Sequence, residues 1–255
     1  MYAYADENTA ELGVLRLACG FCSLRDLCWP TGLEPSKLAR LHSMIRRSGS
    51  LPVGNHLFGV GERFTAIYAV RSGCIKSYSI GADGHELVHG FHLRGEVFGF
   101  DAVHPDRHRC NAVILKSSSV CFIPYQDIAR LSVEFHGLHN QVLRVMSREF
   151  SKQIRFAEGS DATQRIAAFL MDAHSRLYQL GAAEHEFRLP MSREDISNYL
   201  GIAPETLSRL IAKLHRKGLI DVNRRRIRLL NPVRLGLMAQ GKKTNRSQAS
   251  LDKCH

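Results

Sequence analysis

Ser192-Arg-Glu-Asp-Ile-Ser-Asn-Tyr-Leu-Gly201 runs directly into Ile202-Ala-Pro-Glu-Thr-Leu-Ser-Arg-Leu-Ile-Ala-Lys-Leu214. Ser192 with Asp195 three residues on has the spacing of a capping box at a helix start. Ile196, Tyr199 and Leu200 give that helix an apolar face, and Gly201 permits a tight turn. Pro204 suits the first turn of a second helix, where its missing N–H costs nothing. Leu207, Leu210, Ile211 and Leu214 turn inward and leave Glu205, Ser208 and Arg209 outside, at i, i+3 and i+4. Two helices about such a turn form a helix-turn-helix. The outer trio suits duplex DNA: Arg forks onto guanine O6 and N7, Glu accepts from cytosine N4, and Ser serves a base edge or a phosphate. The competing reading is an ordinary helical hairpin whose charges face solvent.

Charge favours the DNA reading. The chain of 255 residues has a formal charge of +11, and residues 161–255 hold 17 Lys and Arg against 9 Asp and Glu. A basic terminal third suits phosphates through counterion release. Beyond the second helix, Asp221 to Leu229 reads as a hairpin carrying Arg224, Arg225, Arg226 and Arg228, the composition of a wing laid along a phosphate backbone.

Working toward the N-terminus, residues 131–158 read as one long helix. His139, Leu143, Met146, Phe150, Gln153 and Ala157 recur at alternating steps of four and three, a coiled-coil seam. The seam packs either on its own domain or on a second copy, and a neighbouring DNA-reading domain favours the pair, because such dimers read two half-sites. Residues 51–130 are β-rich. Glycines punctuate short runs such as Ala66–Val70, Cys74–Ile80 and Ser119–Ile123, the pattern of a barrel or roll. Ala82-Asp83-Gly84 marks a hairpin turn. The expected organisation is an α+β chain: an N-terminal arm over 1–50, with an amphipathic stretch Pro35 to Arg47; a roll over 51–130; the long helix over 131–158; a winged helix-turn-helix domain over 159–235; and a mobile tail over 236–255.

The arm holds Cys19, Cys22 and Cys28 in a C-x2-C-x5-C loop. Three soft thiolates turned to one point favour an iron–sulfur cluster or zinc over hard cations. A tetrahedral site needs a fourth ligand, which must come from far along the chain. Seven cysteines in a chain without a signal-peptide or membrane-spanning pattern are expected as thiols or metal ligands in the cytoplasm, not as disulfides. Cys74 and Cys110 compete with Cys121 for that fourth position: Cys74 reads as a small buried hydrophobe in a strand and Cys110 lies in the polar loop His104 to Asn111, open to exposure, while Cys254 reads as a bystander in the tail.

These residues together resemble the Crp–Fnr family of transcription regulators, in particular its oxygen-sensing Fnr/Anr branch, from about Cys19 to Pro232. The likeness rests on Tyr68–Tyr78, Gly90–Asp101, Val120-Cys-Phe-Ile-Pro124, Asn198–Arg209 and the cysteine loop. It implies a β-roll like that of cyclic-nucleotide-binding domains, a dimerisation helix and a winged helix-turn-helix. It implies a 4Fe–4S cluster on Cys19, Cys22, Cys28 and Cys121 that holds an active homodimer when oxygen is absent and is converted toward 2Fe–2S by oxygen. It further implies a TTGAT…ATCAA palindrome read by Glu205, Ser208 and Arg209, and contact with RNA polymerase. Two positions depart from the branch: Gln153 replaces an acidic seam residue, and His85 stands at an acidic position of the polymerase-contacting loop Ile80 to Glu86.

Two other function classes compete. A cyclic-nucleotide regulator on the same fold draws on Gly95-Glu-Val-Phe-Gly99, but near Asn111-Ala112 the chain lacks the phosphate-binding Arg; Arg107 and Arg109 stand in a differently composed loop. A zinc or redox enzyme draws on the thiolate loop alone. No general-base constellation or H-E-x-x-H spacing accompanies it, and the chain reads as a non-enzyme.

Overall fold

The computed structural model describes residues 40, 43–134, 136–154, 161–181 and 185–241. Strands β1 (Arg46–Arg47), β2 (His56–Phe58), β3 (Ala66–Ile80), β4 (Glu86–Leu93), β5 (Val97–Phe98) and β6 (Asn111–Pro124) build the roll. Their order is β1-β6-β3-β4, with β2 on β6 and β5 on β3. All the pairings are antiparallel.

Glycine punctuation suggests two short strands where the structure has one. Strand β3 runs unbroken through Gly73, and its register against β6 shifts between Val70 and Ser72, Ser72 and Cys74, and Cys74 and Ile75. Gly73 has φ of 90°, and a side chain there would collide with Ser118 and the Ser117 carbonyl. This glycine makes a bulge that bends a long strand and does not end it. The turn at Ala82-Asp83-Gly84 forms as expected: Gly84 N donates to Gly81 O at 2.9 Å and Gly81 N to His85 O at 2.8 Å.

The amphipathic stretch ending at Arg47 stops being helical earlier. Ser43 and Met44 are helical, whereas Arg46 and Arg47 pair with Phe122 and Cys121. Edge pairing with β6 outcompetes the helical period. Helices α1 (Tyr125–Glu134) and α2 (His136–Ile154) stand where one helix over 131–158 is expected, and the helical run starts six residues sooner. Ile128, Leu131, Leu138 and Val145 anchor them to the roll in one cluster with Ile67, Ala69 and Ile123.

Helices α3 (Ala162–Tyr178), α4 (Arg193–Tyr199), α5 (Pro204–Arg216) and α6 (Pro232–Ala239), with β7 (Glu186–Arg188), β8 (Ile220–Asn223) and β9 (Arg226–Leu229), form the C-terminal part. Its sheet has the order β7-β9-β8. Strand β7 and helix α6 are additions to the sequence reading. Helix α6 occupies the start of the expected tail, capped by Asn231 and pinned by the fully buried Leu235. Among the described residues, no helix is long and apolar enough to cross a membrane.

Candidate DNA interface and remote thiol

Helix α4 begins as a capping box: Asp195 N donates to Ser192 Oγ, and Ser192 N donates to the Asp195 carboxylate, both at 3.0 Å. Gly201 takes φ of 59°, the left-handed turn that the motif demands. Pro204 occupies the first turn of α5. Leu207, Ile211 and Leu214 are buried and Leu210 is half-buried, while Glu205, Ser208 and Arg209 are all exposed. The three outer side chains lie on one accessible helical face, with nothing of the described chain laid over it.

The wing is the β8–β9 hairpin, turned at Arg224, which adopts φ of 54°. Its arginines are not equivalent. Arg225 Nη1 donates to Pro190 O at 3.1 Å, and Arg226 Nε pairs with Glu186 at 3.3 Å. All four are exposed, and the partners of Arg225 and Arg226 set those two apart. Sequence alone does not distinguish the four, because strand β7, which supplies Glu186, carries no clear signal of its own.

The structure separates the three described thiols. Cys74 is fully buried, as expected, and burial pushes its thiol up to about 12. Cys110 is not open to solvent, contrary to the loop reading. It is buried, its Sγ donates to Asp101 at 3.4 Å, and burial reinforced by that carboxylate pushes its thiol far above the usual range. Asp101 organises the loop that looked polar and open, accepting also from Arg109 N at 2.8 Å and facing His108 Nδ1 at 3.3 Å. Cys121 is half-buried on β6. It stands opposite Ala69 of β3 on one side and Arg47 of β1 on the other. It packs against the same apolar cluster as Met44 and Ile45 from the arm and Val142 from α2, a cluster that includes Val145. Cys19, Cys22, Cys28 and Cys254 lie outside the described residues.

On α2, Leu138 and Val145 face the roll, while Leu143 and Phe150 are 51% and 65% exposed and Met146 is half-buried. The side chain of Gln153 and the whole of Ala157 fall outside the description. A cavity of about 410 Å³ lies beneath this helix, lined by Phe58, Ser77, His92, Phe98, Arg109 and Phe150, among others. Glu96, from the segment likened to a cyclic-nucleotide cassette, is not among its lining. It accepts from Leu93 N at 2.8 Å and from Arg176 Nη2 of α3 at 2.7 Å. Asn111, at the place of the missing phosphate Arg, accepts from Val60 N at 3.1 Å.

A β-roll joined through a long helix to a winged helix-turn-helix defines a DNA-binding transcription regulator. Residues 164–238 match the Crp-like helix-turn-helix domain and residues 49–134 the cyclic nucleotide-binding domain. The chain is 38% identical to the fumarate and nitrate reduction regulatory protein of Vibrio cholerae, over 88% of this chain and 91% of that one. It is 38% identical to electron transport regulator A of Shewanella oneidensis, over 87% and 90%, and 35% identical to the transcriptional activator protein Anr of Pseudomonas protegens, over 88% and 93%. Among solved structures it is similar to FixK2 from Bradyrhizobium japonicum, with a TM-score of 0.69 and 27% identity, covering 76% of this chain and 96% of that one. The chain belongs to the Crp–Fnr family of transcription regulators, in its Fnr/Anr-type branch.

Proposed function

We propose that the chain is an oxygen-responsive regulator in which Cys19, Cys22, Cys28 and Cys121 hold a 4Fe–4S cluster, and that it acts as a homodimer on a TTGAT-type palindrome in the cytoplasm. The observation that carries the ligand assignment is the pairing of β1 with β6, which sets Arg47 opposite Cys121. The arm that bears the cysteine loop therefore joins the sheet beside that thiol. Ligation needs a thiolate. Burial opposes one at Cys74 and Cys110, and the half-buried Cys121 fits the donor set better than either. A cluster held by these thiolates would supply oxygen-sensitive iron–sulfide bonding.

The chain's own residues supply the response. Cys121 shares its packing cluster with Met44 and Ile45 of the arm and with Val142 and Val145 of α2. How the arm seats against the roll therefore bears on how α2 seats. The seam of α2, with the exposed Leu143 and Phe150, the half-buried Met146 and, in sequence, Gln153 and Ala157, is the surface for a second copy. Two copies present two α5 helices, and Glu205, Ser208 and Arg209 of each read one half-site. The exposed hairpin end from Ile80 to Glu86 is available to RNA polymerase, with His85 closing its turn. Glu96 is engaged by Arg176 of α3, which supports the oxygen-responsive reading over the cyclic-nucleotide one.

Iron content of full-length variants isolated under anoxia tests the assignment. Cys121→Ala is expected to lose the iron and Cys110→Ala to keep it. Equal iron in both refutes the choice of Cys121.

A further inference from the structure

The HTH domain is joined to the roll by more than the connecting chain. Strand β4 lies at the edge of the roll sheet. An edge strand offers unpaired N–H and C=O groups that must be covered or solvated. Helix α4 covers them. The Asn198 side chain accepts from Val88 N at 2.9 Å and donates through Nδ2 to the Glu86 carbonyl, as a neighbouring strand would.

One turn earlier on the same face of α4, Asp195 accepts from Lys76 Nζ at 2.9 Å. Lys76 lies on β3 and is only 8% exposed; Asp195 is 13% exposed. The ammonium also pairs with Glu86 at 2.5 Å. A second ionic contact lies apart from the first: Arg176 of α3 donates to Glu96 at 2.7 Å, to the Phe91 carbonyl at 2.5 Å and to Asp172 at 3.0 Å. Between them, Phe91 packs edge-on against Phe169 and Tyr199.

One contact permits rotation about itself, whereas two contacts with a packed aromatic wedge between them fix an orientation. Asp195 also completes the capping box of α4 as its third residue, so Lys76 grips the first turn of the helix-turn-helix directly. Glu205, Ser208 and Arg209 remain exposed in this arrangement, so the contact does not occlude the reading face.

We propose that Lys76 and Asn198 are positioning residues for DNA recognition: through the roll edge they fix the angle at which α5 is presented, and hence the separation of half-sites that a dimer accepts. Recognition helices of a dimer meet half-sites about one helical turn, or 10–10.5 base pairs, apart. One added base pair turns a half-site by about 35° and moves it by about 3.4 Å, so a rigidly held head rejects it. A loosened head follows it. The base contacts of each half-site stay as they were, because α5 itself is untouched.

The test uses full-length protein prepared under anoxia and a set of palindromes, drawn from its own selected site, whose spacers differ by single base pairs. In Lys76→Met, discrimination between the preferred spacer and one a base pair longer is expected to fall by about tenfold, a coupling well inside the range for directly contacting groups. Half-site base preference is expected to be unchanged. Asn198→Ala, which leaves the ion pairs in place, should relax spacing in the same direction, and Lys76→Arg should restore the native profile. Variants with the native spacing profile overturn the proposal. So does loss of half-site preference in step with spacing, because that marks general damage to the domain. The inference rests on the two-copy reading: a native protein indifferent to spacing overturns that reading, whereas a native protein that discriminates, with variants that do so equally, overturns the clamp alone.

Discussion

The two edges of the roll sheet have different work. At one edge β1 lies on β6 and places the arm beside Cys121; at the other, β4 is capped by α4 of the reading domain. The first edge is joined by a two-residue strand pairing and by apolar packing around a half-buried thiol. The second is joined by ion pairs and an amide that imitates a strand. Strand β3 belongs to both, with Ala69 opposite Cys121 and Lys76 gripping Asp195 seven residues later. Apolar contact is non-directional and tolerates sliding; buried charge pairs with few alternatives hold one geometry. The contrast suits a sensing edge that adjusts and a reading edge that does not.

The largest expected effect breaks the reading edge. Arg176→Met strands Glu96 and Asp172 and frees the Phe91 carbonyl, a loss of about 3–5 kcal/mol for a broken buried ion pair. Urea unfolding checks it, and a loss below about 1 kcal/mol contradicts a rigid junction. Next, Arg209→Ala is expected to weaken operator binding by about 1–3 kcal/mol and to relax base preference at one position, measured by titration against a mutated half-site series. Spacing preference should stay native there, which separates reading from positioning.

Proton binding sharpens the same contrast. Burial alone would raise the Asp195 carboxyl, but hydrogen bonds from Ser192 and Lys76 outweigh it and hold it below the usual range. Burial alone would lower Lys76, but Glu86 and Asp195 outweigh it and raise it. A depressed acid stabilises above its unfolded value of about 3.9, and that gain is lost as pH falls through the folded value. A raised base stabilises below about 10.4, and that gain is lost as pH rises through the folded value. Glu86 and the ring of Tyr78 are the other groups facing the ammonium. The junction is expected to hold across neutral pH and to loosen at both extremes, read from protease sensitivity. An Asp195→Asn protein that loosens identically in acid contradicts the role of that carboxylate. The smallest effect is expected at the pairing face: Gln153→Asp adds a charge to the seam and shifts the cluster-free protein toward monomer in sedimentation, because a carboxylate costs more to bury than an amide. No shift removes Gln153 from the seam.

Local chemistry made the reading domain legible. A capping box, a left-handed glycine and a first-turn proline all act within four residues, and each forms as its spacing implies. The roll was legible as a class but not in its joints, because Gly73 bends a strand where a turn was expected, and periodicity does not distinguish the two. Cys110 was misread because its burial depends on Asp101, nine residues away, folding back over it. The clamp was invisible: Lys76 and Asp195 are 119 residues apart in sequence, and no spacing rule connects them. A lysine sharing one strand face with the buried Cys74 and Tyr78 is the available clue, since such a charge is rarely buried without a partner.

In the proposed function, arm thiols and Cys121 together govern self-association. Iron and sulfide should be quantified in full-length protein isolated under anoxia, with sedimentation run on the same sample before and after air. Expected are about four irons per chain and a dimer before exposure, and iron falling toward two per chain with a weakened dimer afterwards. Iron-free anoxic protein that pairs identically before and after air contradicts it.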